Sequence, residues 1–370
     1  MKRQNRRDFL LGALSAVALS ATGAGDVPSP AAAPRAAYVS PRARAKAAWA
    51  AFVKAYWMEE PALFRRHKDK RKPLDFWYAA HAWDMLIDAD KLFHTPQTKA
   101  LVKRYYDGFC RQYPDWTKNE FNDDILWWTI ACTNAYVHTH EKRYLEQARK
   151  HFDWLVAHEV DDTLGGGMWW KNSKHGSKNA CDNFPAVITA CNLYQHTKEK
   201  KYKDTALALF KWSRKTFFDE ATGTVWDNLS VEGKLTRWDF TYNTGTFIGS
   251  CLRLYRLTFD KRYLQDAFKA GNHMVRDLSR DGIVKPAGRE GDGGAFHGIG
   301  FRYLSELAKR VDGRSFRSYI LKNAEAAWAH RRPSDDLVGH DFRRAPAETA
   351  DVEGQIANSA LTLILLAAQI

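Results

Sequence analysis

Cysteine is scarce and scattered in this 370-residue chain. Cys110, Cys132, Cys181, Cys191 and Cys251 include no Cys-x-x-Cys and no His/Cys cluster at metal spacing, so no metal or cofactor is expected. Most of the five read as small core residues, and the odd count leaves at least one thiol unpaired within a monomer, the expected state. Past the N-terminal region no stretch reaches the roughly 18 to 20 uninterrupted apolar residues of a membrane span, so none is expected in the mature chain. Strict polar/apolar alternation is also rare, which limits sheets to a minor role. A basic stripe is missing too, although the formal charge is +13. Lys2, Arg3, Arg6 and Arg7 against Asp8 supply part of that surplus, and the rest is interleaved with acids, as in Glu141-Lys142-Arg143 and Lys198-Glu199-Lys200-Lys201. Such interleaving reads as solvated faces and argues against nucleic acid as a partner.

The N-terminus has a secretory layout. Lys2, Arg3, Arg6 and Arg7 are basic, an apolar run continues to Leu19, and small and Pro-rich residues follow. The Arg6-Arg7-x-Phe9-Leu10 core resembles a twin-arginine signal. We therefore expect a signal peptide over 1–25, a Pro/Ala-rich linker over 26–44 and one domain over 45–370, exported to the periplasm or the exterior.

Three segments of that domain align without gaps. Tyr136, Thr139, Tyr144 and Ala148 recur as Tyr194, Thr197, Tyr202 and Ala206, then as Tyr255, Thr258, Tyr263 and Ala267, 58 and 61 residues on. In each copy the first Tyr ends an apolar helix, the Thr and charged residues turn, and the second Tyr and the Ala share one face of the next helix. This is a helical hairpin. Weaker copies near Leu92–Tyr106 and Leu307–Ala324 bring the number to five or six, so the expected fold is all-α, with hairpins that can close into an (α/α)6 barrel.

What the chain has in plenty is aromatic: 14 Trp, 15 Tyr and 20 Phe. Most must fill the core, yet rings also stack on the C–H faces of sugars while carboxylates and amides take the hydroxyls. Polar, aromatic and glycine-rich loops fall where a barrel mouth should be. They are Asn122-Asp123-Asp124 before Trp127-Trp128, Gly165-Gly166-Gly167 before Trp169-Trp170, Lys178 to Asn183, Trp226-Asp227-Asn228, Thr241-Tyr242-Asn243-Thr244-Gly245, and Gly291 to Tyr303. Two neighbouring Asp at a helix start can be simple caps, with Asn122 or Asp123 in the cap position. Their company raises the catalytic reading.

Taken in order, the Asp-Asp-x-x-Trp-Trp unit, Gly166 to Trp170, Asn179 to Asn183, Thr241 to Gly245 and Phe296 to Tyr303 resemble glycoside hydrolase family 76, the endo-acting α-1,6-mannanases and their cell-wall transglycosylase relatives. The resemblance implies an (α/α)6 barrel that hydrolyses α-1,6-mannosidic bonds with retention, with Asp123 as nucleophile and Asp124 as general acid/base. It points to Trp128, Trp170, Asn183, Asp227, Tyr242, Asn243 and Phe296 as sugar ligands and to an α-mannan polysaccharide as substrate. In each Trp-Trp pair one ring should enter the core and one should face substrate. Two positions depart from the family's usual pattern: Thr244 where Gln is frequent, and His297 where Lys is frequent. The basic surplus also raises anionic glycans as substrates. A transglycosylase, another carbohydrate-active enzyme on the same toroid, and a noncatalytic glycan-binding protein are the alternatives.

Overall fold

The computed structural model describes residues 39–310 and 314–370. The expected signal peptide and most of the expected linker lie outside the described residues. The domain starts earlier than expected, because α1 (Pro41–Tyr56) already includes 41–44. Ser40 accepts from the Ala43 amide at 3.3 Å and Pro41 sits in the first turn, a local start signal strong enough to make the last residues of the linker helical.

Eleven more helices follow: α2 (Phe76–Phe93), α3 (Pro96–Gln112), α4 (Asn122–Thr139), α5 (Lys142–Glu159), α6 (Ala180–Thr197), α7 (Lys200–Phe217), α8 (Thr241–Thr258), α9 (Lys261–Arg276), α10 (Phe296–Arg310), α11 (Arg314–Ala329) and α12 (Gly354–Ala367). The even-numbered helices form an inner ring in which each packs on the next, and α12 closes it against α2. The odd-numbered helices lie outside, and α1 packs on α12 to complete a sixth pair from opposite ends of the chain. This is an (α/α)6 toroid. None of the described helices is long and apolar enough to cross a membrane.

Inner and outer helices differ as their positions require. In α8, 14 of 18 residues are buried, whereas α7 buries one face through Tyr202, Ala206, Leu209, Phe210, Ser213 and Phe217. Gly245 has its neighbour's backbone so close that an added Cβ would lie 2.8 Å from the Gly300 Cα, so α8 and α10 meet through glycine.

The repeated Thr explains itself in the turns. Thr139, Thr197 and Thr258 each donate to the carbonyl four residues back at 2.8 to 2.9 Å, and each accepts from the amide two residues on, Glu141, Glu199 or Asp260, at 3.2 Å. Between them His140, Lys198 and Phe259 adopt the left-handed conformation that ends the inner helix. One hydroxyl thus joins the end of an inner helix to the start of an outer one. Sheets are minor, as expected, and the three-stranded one, Ser177–Asn179 with Asn228–Ser230 and Leu235–Thr236, lies beside the mouth described next.

Candidate active site

The inner helices all point the same way, so their N-termini share one mouth. There a cleft of about 740 Å³ is lined by Trp77 of α2, Asp123, Asp124 and Trp127 of α4, Cys181 of α6, Tyr242 of α8 and Phe296 of α10. The loops before these helices contribute Asp75, Phe121, Trp170, Asp227, Trp238, Phe240 and Asp292.

Asp123 and Asp124 occupy the first turn of α4, where the positive end of the helix dipole favours carboxylates. Neither caps the helix. Phe121 holds the cap position, and Asn122 reaches out instead, donating to the Trp169 carbonyl at 2.8 Å and to Glu159 at 3.0 Å while its amide donates to the Trp170 carbonyl at 2.8 Å. The start of α4 is thereby bolted to the loop that carries Trp170. Asp124 accepts from the Asn119 amide at 3.0 Å. Burial, and then the charge of Asp123, push its carboxyl well above the usual range. Burial also raises Asp123, to about 7, and the Cys181 thiol and the Trp170 and Trp127 indoles pull partly the other way. Both carboxyls therefore resist ionising together, and Asp124 is the one that keeps the proton.

Trp170, Asp227, Tyr242 and Phe296 all line the cleft. Tyr242 donates to Asp227 at 2.5 Å and its ring lies 4.3 Å from Phe296. Three other expected ligands lie elsewhere. Trp128 is fully buried in the core, stacked 3.6 Å from Phe109 and donating to the Phe76 carbonyl at 2.9 Å. The next residue along a helix is turned by about 100°, and that turn gives the cleft Trp127 instead. Asn183 is fully buried; it accepts from the Met168 amide at 2.8 Å and donates to the Met168 and Asn179 carbonyls at 3.1 and 2.8 Å. It clamps the glycine loop. Asn243, also fully buried, donates to Asp227 at 2.9 Å and so holds a cleft residue without lining the cleft.

The two unusual positions stay out of the cleft as well. Thr244 is fully buried on α8, and His297 lies buried against Thr241 with its pKa lowered to about 4 by burial. The basic surplus does not reach the cleft either: five aspartates line it and no Lys, Arg or His does, among the described residues. Anionic glycans are thus disfavoured there.

Sequence reasoning gave no ligand role to Trp77, Phe240, Trp238, Asp75, Asp292 or Asn119; of each Trp-Trp pair one ring does line the cleft, but in the first pair it is Trp127 and not the expected Trp128. Asp75-Phe76-Trp77 does carry a signal, an Asp and aromatics at a helix start like the Asp123 segment. Asp292, which accepts from the Tyr78 hydroxyl, was concealed in a glycine-rich run. One buried lysine supports the loop: Lys178 donates to Asp161 at 2.6 Å and to the Thr163 and Gly166 carbonyls at 2.8 Å, with the Trp169 ring 4.6 Å away.

A helical toroid with adjacent carboxyls and a rim of aromatic rings at its N-terminal mouth is the architecture of a carbohydrate-active domain. The chain belongs to glycosyl hydrolase family 76, whose sequence profile matches residues 40–368. It is 24% identical over 295 residues to mannan endo-1,6-alpha-mannosidase DCW1 of Saccharomyces cerevisiae, covering 72% of this chain and 65% of that one. It is 26% identical over 221 residues to DFG5 of Candida albicans, covering 52% and 48%. The chain spans about half to two thirds of the length of the curated relatives it matches. Among solved structures, the GH76A α-1,6-mannanase of Salegentibacter sp. HEL1_6 superposes with a TM-score of 0.84 at 30% identity, covering 89% of this chain and 99% of that one. An inactive variant of that enzyme, with two consecutive aspartates replaced by asparagine, is in complex with α-1,6-mannotriose.

Proposed function

We propose that this protein is a retaining hydrolase of α-1,6-mannosidic bonds in mannan-type polysaccharides. The observation that carries the reading is the consecutive pair Asp123-Asp124 on the cleft floor. The Salegentibacter relative loses activity when two consecutive aspartates are changed, and that variant is seen with an α-1,6-linked oligosaccharide.

The geometry supplies a route. Asp123, ionised and met by the Trp127 and Trp170 indoles, attacks the anomeric carbon and forms an ester with the sugar. Asp124, held by Asn119 and protonated through burial, gives its proton to the departing glycosidic oxygen. Its own charge then helps it take a proton from water, which attacks the same carbon, frees Asp123 and restores the configuration. Trp127, Trp170, Tyr242 and Phe296 offer ring faces to the chain of sugars, and Asp227, fixed by Tyr242 and Asn243, accepts from sugar hydroxyls. The Arg6-Arg7 leader supports action outside the cytoplasm, which fractionation of the expressing cells tests.

The deciding experiment is product analysis on unbranched α-1,6-mannan. Short manno-oligosaccharides from the parent, and none from Asp123→Asn or Asp124→Asn, are expected. Equal release by either variant would remove that residue from its role, and no release by the parent would defeat the substrate assignment.

A further inference from the structure

Beside Asp123, outside the cleft lining, lies a third carboxyl that the mechanism above does not use. Asp182 stands in the first turn of α6, one residue beyond Cys181. As an ordinary capping residue it would accept one backbone bond and turn its other oxygen to water. Its Oδ2 does accept from the Asn179 amide at 3.1 Å. Its Oδ1 does not reach water: the residue is fully buried and no donor meets that atom at full hydrogen-bond geometry, although the Asp123 backbone amide lies near enough to pull the carboxyl partly down.

Across the α4 and α6 contact the same deficiency recurs. Asp123 also has a buried Oδ1 without a partner. A carboxylate oxygen of each residue and the Cys181 sulfur lie within 4.8 Å of one another. Two ionised carboxylates this close, in a site where no cation lines the cleft, would repel strongly, and each would leave a buried acceptor unmet. A proton on one of the two removes the repulsion and supplies the missing donor.

We propose that Asp182 carries a proton and donates it as a hydrogen bond to Asp123, which makes it a positioning residue that keeps the attacking carboxylate ionised and aimed. The groups that face it agree: Asp123 from α4, Cys181 from its own helix and Asp227 from the loop before α8 are all acids or neutral donors. Burial, and then the charge of Asp123, raise the Asp182 carboxyl well above the usual range, so it stays neutral while Asp123 ionises. A hydrogen bond to the ionised form also stabilises Asp123 as the group expelled when the glycosyl ester is hydrolysed.

The proposal rests on Asp123 being the attacking carboxylate, and its test separates the two claims. Carboxyl carbons of Asp are labelled with ¹³C and followed by NMR through a pH titration, with Asp123→Asn and Asp182→Asn used for assignment. In the parent, the Asp182 signal should remain that of a protonated acid between about pH 5 and 8, as burial and a neighbouring charge require. Asp182→Ala should raise the Asp123 midpoint, and the acidic limb of kcat/KM on α-1,6-mannan, by about one pH unit, while Asp182→Asn, which keeps an N–H donor and a cap acceptor, restores both. A role in helix capping alone would lower the Tm of Asp182→Ala and leave both midpoints in place, which overturns the proposal. So would a fall in the Asp123 midpoint, the sign expected if Asp182 were ionised, or titration of Asp182 in the parent below pH 5. The NMR result stands or falls without any cleavage of mannan, so a wrong substrate would not be mistaken for a wrong role.

Discussion

The two mouths of the inner ring are built by one rule and used differently. At the N-terminal mouth the positive helix ends gather Asp123, Asp124 and Asp182 in first turns and Asp75, Asp292 and Glu353 just before them. At the C-terminal mouth the negative ends gather Lys91, Arg256, Lys309 and Arg310 in last turns. The difference lies in partners. Near the C-terminal mouth the buried charges are matched, Arg302 with Asp88 at 2.7 Å and Arg253 with Glu306 at 2.5 and 3.0 Å. At the N-terminal mouth Arg66 pairs with Asp75 at 2.8 Å and Glu353 at 2.7 Å, but Asp123, Asp124, Asp182, Asp227 and Asp292 have no ion pair among the described residues. Paired charges hold the ring together, while burial raises the unpaired carboxyls of Asp123, Asp124 and Asp182 and keeps protons available for chemistry.

The sharpest way to break this contrast is to replace one group at each mouth. Asp124→Asn should lower kcat on mannan by about 10⁴-fold, the scale of a lost general acid, without lowering Tm, because it relieves a buried acid. Trp127 and Trp128 sharpen it within a single helix turn. Trp128→Ala should cost about 3 to 5 kcal/mol in denaturant unfolding, whereas Trp127→Phe, a smaller change to a buried ring that also lines the cleft, should cost less stability and reduce kcat/KM. At the other mouth, Arg253→Met strands Glu306 and should cost about 3 kcal/mol with kcat unchanged at a temperature where the variant is folded.

The smallest effect concerns His81, which lies between the mouths. Burial, and then the charge of Arg302, hold its pKa at about 3, below the 6.5 of an unperturbed imidazole. The unfolded chain therefore binds the proton first, and stability falls as pH drops below 6.5 toward the folded value. Asp182 acts in the opposite sense: its raised pKa gives stability below 3.8 that is lost as pH rises. The Tm gap between the parent and His81→Gln should narrow on acidification from pH 7 to about 5. A constant gap would mean that His81 takes up its proton equally in the folded and unfolded chains.

How much of this was legible in the sequence follows from where each signal resides. The hairpins were readable because Thr139, Thr197 and Thr258 do their work locally, inside the turn that repeats. The sixth pair was not, since α1 and α12 come from opposite ends of the chain and no local pattern joins them. Asp123 and Asp124 were legible as a contiguous motif. Trp128 was misplaced because a one-residue change of helical phase decides between core and cleft. Asn183 and Asn243 misled for a different reason: an Asn near a helix start is equally suited to holding sugar, backbone or a neighbouring carboxylate, and here tertiary packing assigns them the last two.

The most direct test of catalysis at the N-terminal mouth is ¹H NMR of the first product formed from α-1,6-mannan. The account predicts that the new reducing end appears as the α anomer and only later equilibrates with β. A β anomer appearing first would show direct attack by water, and Asp123 would then not be the nucleophile.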